Sequence, residues 1–362
     1  MIVTKKRCIT ALFYFAYFTF LLFSMFGHLP TVGGYLKELT NAGIAIFAII
    51  ILLRLQDYSV REGIVLVLFL AYGLFIAYTT GDYGFFKLAM MIFAGKGLNF
   101  RSIIRKDLAT RVILTGVMFC LFVNGKAPDF TSIYDGVVRH SMGFQNPNHV
   151  GIIAFIVIME IIYLSGMKLT PLHYVAIFTI LVMESKVSGS RTAELIALLA
   201  ILLATIFSFK SGFFEKTGVK RAMRCGGFMC AILTAIAFFL YRTGNRLVVD
   251  FDRIISYRIL LVFMNYNKLG ITLFGNDISN IERSLDNLYG FLCIGLGIVS
   301  FLLVMIAYYK LERRLCNFNK PLAIIMFCFF VYGLSERLWF YIDYNVFMLA
   351  FAELIYPYYT NC

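Results

Sequence analysis

The sequence predicts an all-α polytopic membrane protein of roughly twelve transmembrane helices, and three observations predict it. Apolar residues make up 60% of the 362-residue chain, and the mean hydropathy is +0.82. Soluble domains average roughly 45–50% apolar residues, so the excess has to face lipid. The apolar residues fall in continuous runs, whereas a transmembrane barrel alternates over segments of about ten residues. The basic residues, finally, gather unevenly between those runs.

Each run is a helix because lipid offers the backbone no water, and a crossing takes about 20 residues. Twelve runs qualify, at about 9–26, 38–53, 63–79, 83–95, 108–124, 148–166, 171–185, 192–209, 223–241, 288–309, 321–335 and 340–357. The first follows Lys5, Lys6 and Arg7 and extends from Ile9 to Phe26. It is long for a signal-peptide core and no small-residue cleavage site follows, so it reads as a retained span. The fourth is short and carries Lys87, and reads as re-entrant or tilted unless charge counts it as a crossing. No fixed-period repeat interrupts the pattern, and 1–362 reads as one membrane domain.

Charge makes that decision. With a cytoplasmic N-terminus and all runs crossing, 20 of the 33 Lys and Arg lie on the cytoplasmic side, in short loops such as 96–111, 210–224 and 310–320. This is the positive-inside bias. Omitting the fourth run would invert everything after it. Both termini are then cytoplasmic. The net charge of +13 is mostly this signal and calls for no nucleic-acid partner. There is no C-x-x-C pair, the four histidines are scattered, and no glycine-rich phosphate loop opens a helix. These absences predict no metal and no cofactor.

Two long external loops are expected, at about 125–147 and 242–287, with Ile254 to Phe263 as a surface-lying helix. Arg139, Arg191, Arg242, Arg246, Arg253, Arg258, Arg283 and Arg337 fall on that side, against Lys37, Lys126, Lys186 and Lys268. The planar fork of arginine suits phosphate, and lipid-linked diphosphates are one phosphorylated class found at an external membrane face. The plainer reading makes Arg139, Arg242, Arg246 and Arg283 solvated loop charges and lets Arg191 snorkel to headgroups. Of the acids near spans, Glu160 and Glu353 read as internal polar partners, and Glu194, three residues after Arg191, as its neighbour on one helix face.

Four stretches carry a resemblance. They are Met142-Gly143-Phe144-Gln145-Asn146-Pro147-Asn148, Ser188-Gly189-Ser190-Arg191-Thr192, Ser256-Tyr257-Arg258 and Asp286-Asn287-Leu288-Tyr289. In this order, with the long loop between the ninth and tenth runs, they resemble the Wzy-type O-antigen and capsule polymerases of the O-antigen ligase-like membrane proteins, over roughly 140–310. The resemblance implies a bacterial cytoplasmic-membrane glycosyltransferase acting on undecaprenyl-diphosphate-linked oligosaccharides. Membrane lipid surrounds it, and a flippase and a chain-length regulator are its partners. It implies that Arg191 and Arg258 contact the diphosphate and makes Asp286 the candidate base. Arg253, Arg139, Asn146, Asn148 and Asn287 are candidate substrate contacts. Asn146-Pro147 also reads as a turn that starts a helix, and Asp286 as a helix cap or arginine partner. The ligases carry histidine where this chain has Asp286, which tilts the reading toward a polymerase. A ligase and a lipid or polysaccharide transporter are the alternatives.

Overall fold

The computed structural model describes residues 2–134, 136–278, 281, 284–338, 341–356 and 359–361. Arg283, one of the expected external arginines, lies outside the described residues. The fold is helical: α1 (Ile2–Phe26), α2 (Gly33–Leu53), α3 (Val60–Thr80), α4 (Gly84–Ala94), α5 (Phe100–Val123), α6 (Pro147–Leu164), α7 (Pro171–Val187), α8 (Arg191–Phe209), α9 (Thr217–Arg242), α10 (Arg246–Ile254), α11 (Arg258–Leu269), α12 (Leu288–Gly290), α13 (Gly297–Phe318) and α14 (Lys320–Tyr332). The sheet among the described residues is one antiparallel pair, β1 (Ser132–Tyr134) and β2 (Val137–Arg139), with Ser132 opposite Arg139.

Among the described residues, six helices are long and apolar enough to cross a membrane: Lys5–Phe26, Gly33–Leu53, Val60–Thr80, Pro147–Leu164, Arg191–Phe209 and Thr217–Arg242. Their outward faces are apolar, as lipid contact requires. In α8, Leu195, Leu198 and Leu202 are exposed while Ala193, Ala197, Ala200 and Ala204 face inward. A water-soluble helix shows the reverse arrangement.

Four expected elements take another form. The tenth run, 288–309, is broken: α12 passes into a π-helical stretch, and Gly297 (φ 87°) restarts the chain as α13, which runs on to Phe318. The fourth run forms α4, whose 11 residues rise about 16 Å, roughly half a hydrocarbon core. The last run, 340–357, is not one continuous α-helix. Within its described part, 341–356, the helix is the 3-10 stretch Val346–Leu354, about 18 Å long. The surface helix expected over Ile254 to Phe263 is split into α10 and α11. Ser256 (φ 62°) and Tyr257 (φ 59°) adopt the left-handed conformation and break it.

The chain packs as two compact units. The first comprises 1–66, 90–208 and 342–362; the second comprises 67–89 and 209–341. In the first, α1 lies so close to α2 that a side-chain carbon at Gly43 would sit 2.4 Å from Thr19 Oγ1. Phe13 and Phe20 close over Phe47 beside it. Between α5 and α6 a fully buried ionic cluster replaces apolar packing. Arg111 Nε donates to Asp107 at 2.8 Å and lies 3.8 Å from Glu160 Oε1. Arg111 Nη2 donates to the Asp343 carbonyl at 2.8 Å, and the Tyr17 hydroxyl donates to Asp107 at 3.1 Å. Glu160 is thus the internal polar partner expected of it. Glu353 likewise turns inward, accepting from the Thr360 amide. In the second unit, α9 packs on α13 and α14 through Gly226 and Gly227, which admit the rings of Phe327, Tyr308 and Phe330.

Candidate functional site

The first two motifs meet within the first unit. Asp129 organises the loop that leads to α6. Its carboxylate accepts from the amides of Ser141 (2.9 Å) and Met142 (3.0 Å) and pairs with His140 Nδ1 at 2.6 Å. Burial opposes ionisation of Asp129, but His140 and the two amides outweigh it, holding the carboxyl below the usual range. Asn146 caps α6 by accepting from the His149 amide at 3.0 Å, with Pro147 as first helical residue. Its observed role is the helix-start turn. Asn148 Oδ1 accepts from Arg139 Nη2 at 2.7 Å, and Arg139 Nε donates to the Ser188 carbonyl. Arg139 therefore ties the Asn146-Pro147-Asn148 turn to the Ser188-Gly189-Ser190 loop and is more than a solvated charge.

That loop is held from beneath. Glu184, buried near the end of α7, accepts from the Ser188 hydroxyl and from the Ser190 amide (2.9 Å). Gly189 takes φ 52°, which turns the chain into α8. A side-chain carbon at Gly151 would come within 2.4 Å of Ser190 Cβ, so α6 fits closely against the loop. Arg191 follows as the first, exposed residue of α8. Glu194 has its carboxyl against that of Glu184.

The other two motifs meet within the second unit, around Arg258. Two consecutive left-handed residues other than glycine cost roughly 1–3 kcal/mol each, and the chain accepts this cost at Ser256 and Tyr257. The buried carboxylate of Asp252 counters it, accepting from the Ile259 (2.7 Å) and Leu260 (3.0 Å) amides at the start of α11. Burial lifts the Asp252 carboxyl above its ordinary value despite those two amides and nearby Arg258. The turn delivers Arg258 as the first residue of α11, with its side chain 8% exposed. Its Nη1 donates to Asp286 and its Nη2 to Glu336 Oε1 at 2.5 Å. Burial works against the charge on Arg258, but Glu336 and Asp286 more than compensate, and the guanidinium holds its proton more firmly than usual.

The supports of this cluster are as specific. Asp286 also accepts from the Ser284 hydroxyl. Asn287 caps α12, accepting from the Gly290 amide at 2.8 Å and donating to the Leu334 carbonyl at 2.8 Å. The Leu288 amide donates to the Gly333 carbonyl at 2.8 Å. Together these bonds fasten the Asp286-Asn287 turn to the turn that carries Glu336. A π-helical stretch, Phe291–Gly295, follows α12, and such stretches recur at functional sites. Arg337 lies over the Phe291 ring, 4.7 Å from its centroid. Burial drives the Glu336 carboxyl up to about 7, with Arg258 pulling it down and Asp286 pushing it up. Among the described residues no three His, Cys, Asp or Glu are grouped to hold a metal.

The chain matches no family model, no curated protein and no solved structure.

Asp286 is thus the partner of Arg258, one of the two plain roles open to it, while the cap of α12 belongs to Asn287. Arg253 sits on the exposed face of α10, 3.5 Å from Asp250, and its side chain is 65% exposed. Glu336 is the member that motif reasoning passed over. Its one signal is its position, a carboxylate beside Arg337 between two strongly apolar stretches.

Proposed function

We propose that the chain is a polysaccharide polymerase of the Wzy type. In this reading it joins undecaprenyl-diphosphate-linked oligosaccharides on the external face of a bacterial cytoplasmic membrane. The observation that carries the reading is the Arg258 cluster. A nearly buried guanidinium is set by a strained turn at a helix start and flanked by Asp286 and Glu336. The orientation belongs to the same proposal. It is a cytoplasmic N-terminus, twelve apolar runs of which the fourth and the last are short in the structure, and external loops at 125–147 and 242–287, supported by the basic loops at 96–111, 210–224 and 310–320.

The chemistry asks little covalent help of the protein. A sugar hydroxyl of one carrier-linked saccharide attacks the anomeric carbon of another, and undecaprenyl diphosphate departs with the bonding electrons. Fixed positive charge in a water-poor site stabilises the growing charge on the leaving group, and a base accepts the hydroxyl proton. Arg258 supplies the first, with a fork matched to two phosphate oxygens. The capsule, exopolysaccharide or O-antigen setting, the flippase and the chain-length regulator belong to the same proposal.

Deleting the gene and profiling carrier-linked saccharides tests it. The polymerase reading expects single repeat units on the carrier or final acceptor and no ladder. Long polymer accumulating on the carrier would instead show a ligase, and an unchanged ladder would reject both.

A further inference from the structure

Among the described residues the Arg258 guanidinium bonds to two carboxylates of the chain itself, so one cation faces two acids. A diphosphate approaching that fork meets competitors already in place. One of them has to give way, and the two differ. Asp286 is fixed by the Ser284 hydroxyl and by the capped turn it opens, and its side chain is 20% exposed. Among the described residues the Glu336 carboxylate is held by Arg258 Nη2, and it lies on the turn after α14. Around it stand Arg258, Asp286 and Arg337, and Tyr332 faces the same guanidinium. Among the described residues no Lys or His shares this set.

We propose that Glu336 is the proton acceptor for the attacking sugar hydroxyl, and that taking up this proton releases the Nη2 edge of Arg258 to the departing diphosphate. The inference rests on the polymerase reading. In the step, the acceptor oxygen bonds to the anomeric carbon as its proton passes to a Glu336 oxygen. The bond from that carbon to the phosphate oxygen breaks, and its electron pair leaves with undecaprenyl diphosphate. Neutral Glu336 no longer competes as an anion for Arg258, so the fork gains a vacant edge as negative charge builds on the leaving group. Glu336 later returns the proton to water and closes on Arg258 again. The carboxyl, poised near neutrality by its burial, suits both directions of transfer.

The test uses the purified full-length chain in detergent with undecaprenyl diphosphate as the binding probe, beside polymer ladders from the complemented deletion strain. In wild type, probe affinity should rise several-fold as pH falls from 8 to 6, through the range in which Glu336 takes up its proton. Glu336→Gln imitates the protonated state. It should bind the probe at least as tightly as wild type at pH 6, lose the pH dependence, and lose about 100-fold or more in polymer formation. Asp286→Asn should keep the pH dependence. Glu336→Asp, retaining a carboxyl, should restore part of the ladder and shows that loss in the Gln variant is not misfolding. A Glu336→Gln variant with a wild-type ladder, or with unchanged pH-dependent binding, overturns the proposal. If the probe binds wild type and Arg258→Ala alike, or deletion leaves the ladder intact, the polymerase reading itself fails.

Discussion

Arg111 and Arg258 are both buried guanidinium groups set against two carboxylates, yet their surroundings differ in kind. Arg111 lies in the middle of α5, with Asp107 one turn earlier on the same helix, Glu160 on α6 and the Asp343 carbonyl as a third anchor. Arg111, Asp107 and Glu160 side chains are all 0% exposed. Regular helices deliver the arginine and both carboxylates, and none of these three residues is in the left-handed region. Arg258 is delivered by two left-handed residues, and its partners come from turns. Asp286 and Glu336 keep 20% and 10% of their side-chain surface exposed. The first cluster ties helices together. The second holds strain at a partly accessible place, which is where strain is tolerated when a function needs the geometry.

The largest effect expected from this contrast is on folding. Arg111→Met strands two carboxylates with no route to water and should cost about 3–5 kcal/mol, read as loss of monodisperse protein in detergent. Arg258→Met should cost about 1–3 kcal/mol, because its partners reach solvent and Glu336 can take a proton. Equal collapse of both variants would break the contrast. Next in size is Gly151→Ala. Its new carbon would meet Ser190 Cβ at 2.4 Å, so a loss of about 1–3 kcal/mol is expected, with the Ser188–Arg191 loop displaced. Smaller still, Ser256→Gly relieves the left-handed strain and should raise the melting temperature by a few degrees, for about 1 kcal/mol gained. It should also lower polymer yield by loosening the aim of Arg258. A gain in both would show that the strained turn serves no function.

The pH dependence of stability is a separate test of the second cluster. Glu336 moves from an ordinary value of 4.5 to about 7 in the folded chain. Between those limits the folded chain keeps a proton that the unfolded chain has released, so stability falls as pH rises through that window. Melting temperatures at pH 5 and pH 8 should therefore differ in wild type, and Glu336→Gln should remove that share of the difference.

The sequence made some of this legible and hid the rest for physical reasons. Apolar runs announced the helices α1 to α9, α13 and α14, because continuous hydrophobicity is a local property. Asn146-Pro147 announced a helix start, because capping is decided within three residues. The pairing of Glu336 with Arg258 was hidden, since 78 residues separate them and nothing local encodes the contact. The Ser256–Tyr257 turn was hidden too. It lacks the glycine that normally marks a positive φ, and Asp252, which makes it tolerable, acts through amides seven and eight residues away. The segment 340–357 was apolar enough to read as a span, yet its described core is 3-10 and nine residues long. Composition measures hydrophobicity there and says nothing of helix type. Arg139 shows the same limit in reverse: as a lone loop charge it looked solvated, and the tie it makes between two motifs depends on β2 and the α6 turn meeting in space.

The most direct measurement is the carrier-linked saccharide profile of the deletion strain complemented with Arg258→Lys, at membrane protein levels matched to wild type. Lysine keeps the positive charge and removes the two-pronged fork. The account predicts single repeat units and a missing or greatly shortened ladder from a correctly folded protein. A ladder of wild-type length and intensity would contradict it.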